Sequence, residues 1–101
     1  MRIVVDIDVS ICETPWYNGA WDYKGAYPNN LHIEKINKLF DEGNEIVYWT
    51  ARGSNTGKDW YDFTKEQLND WGCKYHELIC GKDKGAFDMV IDDKAKRIEE
   101  I

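Results

Sequence analysis

Met1-Arg2-Ile3-Val4-Val5-Asp6-Ile7-Asp8-Val9-Ser10 is the stretch that decides the fold. Three β-compatible apolar residues run into two aspartates one residue apart, with a hydroxyl two residues further on. A short all-apolar run bounded by polar residues fits a strand buried on both faces, as in a parallel sheet. Parallel α/β sheets take their ligands at the carboxyl ends of the strands. The stretch therefore delivers Asp6 and Asp8 to the edge where such a protein does its chemistry.

Working outward, residues 11–30 are rich in aromatics, Gly and Pro and show no clear periodicity. A connection of this length in a small domain is usually functional. Asn18-Gly19 is a tight-turn signal that predicts a small hairpin within it. Trp16, Tyr17, Trp21, Tyr23 and Tyr27 are candidates to wall a pocket or to cover the sheet edge. Asn30 is the expected N-cap of a helix carrying Ile33, Ile36, Leu39 and Phe40 on one face and ending before Gly43. Glu45 to Trp49 reads as a second strand running into Thr50-Ala51-Arg52. After a polar loop, a second helix carries Trp60, Phe63, Leu68 and Trp71 and stops at Gly72. Cys73 to Ile79 reads as a third strand with His76 inside it, a satisfied or edge histidine rather than a catalyst. Phe87 to Ile91 reads as a fourth strand ending at Asp92-Asp93, and Lys94 to Ile101 as a short closing helix or tail. The alternation is that of one α/β domain spanning residues 1–101, with a sheet of about four strands and no fifth.

Composition narrows the function. A net charge of −6 disfavours nucleic acid and anionic membrane surfaces as partners. The three cysteines, Cys12, Cys73 and Cys80, form no Cys-x-x-Cys pair, which argues against a structural zinc or a disulfide framework. No apolar run matches a signal peptide or a membrane span. The expected setting is cytoplasmic.

Three strand ends contribute polar groups: Asp6 and Asp8, then Thr50, then Asp92 and Asp93. Lys82 or Lys84 lies in the turn before the last strand. Clustered carboxylates repel unless a cation sits among them, and oxygen ligands with few His or Cys point to Mg²⁺. Carboxylate, Mg²⁺, hydroxyl and lysine together are the set that handles a phosphoryl group. No Walker sequence is present.

In this order, Asp6-Ile7-Asp8-Val9-Ser10, Thr50 after an apolar strand, Lys82, and Val90-Ile91-Asp92-Asp93 resemble the four motifs of the haloacid dehalogenase superfamily over essentially the whole chain. Tyr48-Trp49-Thr50-Ala51-Arg52, Gly81-Lys82 and Ile91-Asp92-Asp93-Lys94-Ala95 are similar to small capless members associated with capsule or surface-polysaccharide biosynthesis. The resemblance implies a Rossmann-like three-layer fold, strand order 3-2-1-4, with no large cap domain. It implies a phosphatase acting through an aspartyl-phosphate on a small phosphorylated metabolite, with a sugar phosphate favoured. Asp6 would be the nucleophile and Asp8 the acid/base. Thr50 and Lys82 would hold the phosphoryl group, Lys82 being preferred to Lys84 on the Gly-Lys pattern. Ser10, Ala51 and Arg52 would contact substrate. Mg²⁺ would be held by Asp6, the Asp8 carbonyl and the pair Asp92-Asp93. Val9-Ser10 departs from the usual Gly-Thr: Ser10 keeps the hydroxyl, while β-branched Val9 resists a positive φ.

Two other readings use the same residues. A signalling receiver domain also has a strand-end phosphoacceptor Asp, but on its third strand, where this chain has Ile79-Cys80. A non-catalytic phosphate-binding module is suggested by Val9 alone. An unprotected edge strand gives a motive for a homo-oligomer.

Overall fold

The computed structural model describes residues 1–8, 10–54 and 57–92. Four parallel strands form the central sheet: β1 (Arg2–Asp6), β6 (Glu45–Thr50), β7 (Glu77–Cys80) and β8 (Met89–Ile91). They lie in the order β7-β6-β1-β8, the expected 3-2-1-4. The fold is a small Rossmann-like α/β fold without a large cap domain. Ile3, Val4 and Val5 are fully buried, so the opening run is a central strand covered on both faces.

The first helix, α1 (Asn30–Asp41), links β1 to β6, and the second, α2 (Tyr61–Asp70), links β6 to β7. Both pack on one face, where Ile33, Ile36 and Leu68 meet Ile3, Val5, Ile46, Tyr48, Leu78 and Ile91. Each such aliphatic side chain contributes about 1.5–3 kcal/mol when withdrawn from water. Val4, Val47 and Val90 form a smaller cluster on the other face, with Trp49 and Ile79 packed against it. The closing segment expected over Lys94 to Ile101 lies outside the described residues. No helix among them is long and apolar enough to cross a membrane.

Element boundaries moved where local signals were degenerate. Asn29, not Asn30, caps α1: its Oδ1 accepts the His32 main-chain N–H at 3.1 Å. Neighbouring asparagines have equal capping capacity, and the chain used the first. β7 begins at Glu77, four residues later than expected. His76 precedes it; the Ile46 N–H donates to its Nδ1 at 3.0 Å, and its ring stacks on Phe40. It is a satisfied structural histidine. Within residues 11–30 four two-residue strands appear: one pair is the hairpin expected at Asn18-Gly19, and the other the sequence pattern did not predict. β2 (Cys12–Glu13) pairs with β5 (Tyr27–Pro28), and β3 (Trp16–Tyr17) pairs with β4 (Ala20–Trp21). Asn18 and Gly19 have φ of 51° and 77°, the two positive angles that a type I′ hairpin turn demands.

At the opposite edge of the sheet Arg2 gathers the strand starts. Its guanidinium binds Glu45 at 2.7 Å, Glu77 at 3.2 Å and the Ala86 carbonyl at 2.7 Å. The strand starts are thereby tied together at the edge opposite Asp6 and Thr50.

Candidate active site

Asp6 is the last residue of β1. Val5 pairs with Ile91, so Asp6 and Asp92 leave adjacent parallel strands side by side. Asp8 follows on a short turn, where it bridges to Cys12. Thr50 ends β6 and is fully buried. These are the strand-end groups anticipated from the opening stretch. Asp6 and Asp8 line a cavity of about 210 Å³ with Thr14, Ala51 and Arg52, under aromatic side chains of Trp21, Tyr23 and Trp49.

Asp8 is held through both carboxylate oxygens. One carboxylate oxygen accepts from Thr14 Oγ1 at 2.7 Å and from the Arg52 guanidinium at 2.9 Å. The other accepts from Thr50 Oγ1 at 2.8 Å and from Arg52 Nε at 3.3 Å. Thr50 Oγ1 in turn accepts the Arg52 main-chain N–H at 3.2 Å. Arg52 is 1% exposed and spends its remaining donor on Gln67 (2.7 Å) and Thr64 (3.2 Å) of α2. Its guanidinium carbon also lies 4.7 Å from the centre of the Tyr23 ring. Arg52 is therefore not a surface ion pair, although it borders the cavity. It is a buried strut that fixes Asp8, and a full set of acceptors around a planar fork explains why it turns inward.

Two further expected site residues, Ser10 and Lys82, are not among the residues lining the Asp6–Asp8 cavity. Ser10 is buried and donates to the Ile91 carbonyl at 3.4 Å, so it ties the turn after β1 to the end of β8 and does not face the cavity. Lys82 lines a separate cavity of about 570 Å³ on the β7 side with Lys58, Trp60 and Tyr61. Its main-chain carbonyl accepts from Trp49 Nε1 at 2.7 Å. Lys84 instead reaches the acidic edge: its Nζ stands 3.9 Å from Asp92 and 4.4 Å from the Trp49 ring centre. The turn doubles back toward β8, which places the later lysine beside the acid. Ala51 lines the cavity as expected. Val9 and Asp93 lie outside the described residues.

Thr14, Thr64 and Gln67 were missed as site residues, whereas Tyr23 was among the candidate pocket walls. Thr14 comes from the aromatic flap over residues 11–30 and the other two from α2, and no short-range pattern announces them. Gln67 Nε2 donates to the Tyr23 carbonyl at 3.1 Å, so flap, helix and Asp8 form one connected network.

The three cysteines are free thiols, Cys12 buried and Cys73 and Cys80 partly so. Burial pushes the Cys12 thiol up to about 11 and the Cys73 thiol up to about 12, and it raises Cys80 as well. The Tyr23 phenol is also raised, by burial first and then by the negative charge of Asp8.

As to a metal, no group of three or more His, Cys, Asp or Glu suited to an ion occurs among the described residues. What they offer is a register-adjacent pair, Asp6 and Asp92, with Asp8 turned to Arg52. An all-oxygen donor pair of this kind suits a hard ion such as Mg²⁺ in chemistry.

No family model and no curated protein matches this chain. The chain is similar to a structural-genomics target from Vibrio cholerae whose crystal structure is solved. The two are 28% identical with a TM-score of 0.70, over 99% of this chain and 86% of that one. That likeness supports the α/β fold and carries no activity with it.

Proposed function

We propose that the protein is a Mg²⁺-dependent phosphomonoester hydrolase acting on a small phosphorylated substrate. The observation that carries this reading is the meeting of Asp6, Asp8, Thr50 and Asp92 at the carboxyl edge of adjacent strands, above a small cavity. Asp6 attacks phosphorus and forms an aspartyl-phosphate. Asp8 gives a proton to the leaving oxygen and later takes one from the hydrolytic water. Thr50 orients the group, and Lys84 rather than Lys82 supplies the positive charge near it. Asp6 and Asp92, with Asp93 next in sequence, would hold Mg²⁺, which when bound neutralises charge on the phosphoryl oxygens.

A second reading, a non-catalytic phosphate-binding module, draws on the same network. Both Asp8 oxygens are engaged by Thr14, Thr50 and Arg52, and Asp8 has to release one of these to carry a proton.

Assay of aryl phosphate hydrolysis with and without Mg²⁺, beside Asp6→Asn, decides between them. The hydrolase reading expects metal-dependent turnover that Asp6→Asn abolishes. Phosphate binding with no turnover over a broad ester panel supports the module.

A further inference from the structure

A second cavity, of about 470 Å³, adjoins the first and shares Trp21, Tyr23 and Ala51 with it. Its other side chains of any size are Trp16, Trp60 and Lys58, and the remainder of the lining is glycine and alanine. The rings hold one another in place. Trp16 and Trp21 meet edge to face at 4.9 Å across the type I′ hairpin, and Tyr23 and Trp60 do the same at 5.0 Å. Trp60 also packs on Phe63 of α2 at 5.4 Å. The Lys58 ammonium stands 4.4 Å from the Trp60 ring centre. Trp16 and Trp21 nevertheless stay 60% and 51% exposed, a concentration of open indole surface that soluble proteins reserve for recognition.

Resting on the hydrolase reading, we propose that this cavity receives the leaving group of the substrate, and that the leaving group is a planar aromatic or heteroaromatic ring. The polar inventory of the walls separates this from a sugar. Indole N–H groups and the Lys58 ammonium only donate, and the Tyr23 phenol is the one side-chain oxygen in the lining. A sugar ring brings several hydroxyl protons that need acceptors, and burying them without partners is unfavourable. A flat ring finds π-faces on several sides. Ring nitrogens or carbonyl oxygens on it find the indole N–H donors of Trp16, Trp21 and Trp60. The volume is ample for one ring or two fused rings. The shared Tyr23 joins the two cavities mechanically, since the ring that walls the second also lies over the Arg52 guanidinium that holds Asp8. A sugar phosphate, favoured from sequence resemblance, becomes the alternative that the test must separate.

The test is titration calorimetry in the presence of Mg²⁺ with two non-hydrolysable probes, benzylphosphonate and a sugar phosphonate, on wild type, Trp16→Ala and Trp16→Phe. The expected result is tighter binding of benzylphosphonate, by about tenfold or more, as one stacked ring contributes elsewhere. Trp16→Ala removes most of that advantage and leaves the sugar phosphonate unchanged, while Trp16→Phe restores it. Equal affinity for the two probes, tighter binding of the sugar phosphonate, or equal weakening of both by Trp16→Ala overturns the assignment. Phenyl phosphate hydrolysis is followed in parallel. Selective benzylphosphonate binding with no turnover over the broad ester panel removes the hydrolase reading and the leaving-group role with it, and leaves the cavity as a binding site for an aromatic ring.

Discussion

Replacing Arg52 by Met keeps the length and apolar stem of the side chain and deletes its charge. The guanidinium is completely buried, whereas the Asp8 side chain keeps 24% of its exposure. Deletion removes two bonds to Asp8, at 2.9 and 3.3 Å, and those to Gln67 and Thr64. Removing one partner of a fully buried pair costs about 3–5 kcal/mol, chiefly through the charge left behind. Asp8 is partly solvated and retains Thr14 and Thr50, so the low end applies, about 3 kcal/mol. In a chain of this length that lowers Tm by about 10–20 °C. Guanidinium unfolding followed by tryptophan fluorescence reads the loss, and a double-mutant cycle with Asp8→Asn isolates the pair. Asp8→Asn removes the stranded charge, so Arg52→Met/Asp8→Asn should be more stable than the sum of the single losses, by about 1–3 kcal/mol. Lys74→Ala is the internal control: its 3.0 Å pair with Asp41 is half exposed on both sides and should cost no more than about 1 kcal/mol. The reasoning is refuted if Arg52→Met costs as little as that control, or if it shows no coupling to Asp8.

Gly53 has φ of +87°, and a Cβ there would run into the Lys58 main-chain carbonyl, so Gly53→Ala should lose about 2 kcal/mol or more in denaturant unfolding. Gly43→Ala, at φ +96° with open space around the new methyl, should lose only about 1 kcal/mol in the same assay. For Cys12 and Cys73 the folded chain favours the neutral thiol. Their stabilising effect is complete below the ordinary thiol value near 9 and is lost as pH rises toward about 11 and about 12. Unfolding stability should therefore fall between pH 9 and 11 by up to about 1.4 kcal/mol per pH unit for each thiol, and Cys12→Ala should flatten part of that slope. Lys84→Met should lower turnover by on the order of 100-fold, whereas Lys82→Met should leave it nearly unchanged; the reverse result restores the earlier lysine to the site.

The sheet was legible because its signal is local. An apolar run such as Ile3-Val4-Val5 or Ile46-Val47-Tyr48 states its own burial, and the acidic residues that end it state which edge is polar. Asn18-Gly19 likewise carried its turn within two residues. The fate of Arg52 was not legible. An arginine after a strand reads as exposed until Asp8 from the turn after β1 and Thr64 and Gln67 from α2 are brought to it. The choice between Lys82 and Lys84 was not legible for a related reason. Lys82 and Lys84 differ only in how the turn returns to β8, and a Gly-Lys pattern does not encode that path. His76 was placed inside a strand because apolar and polar residues alternate before Glu77, although the chain there pairs with Ile46 through the histidine itself.

The claim on which the functional account rests is that Asp6 is phosphorylated during turnover. Rapid acid quenching of a reaction with excess aryl phosphate and Mg²⁺, followed by peptide mapping, measures it directly. The account predicts one phosphoryl group on the peptide that begins the chain, located at Asp6 and absent in Asp6→Asn. Turnover that persists in Asp6→Asn, or turnover by wild type with label on another residue, would contradict it.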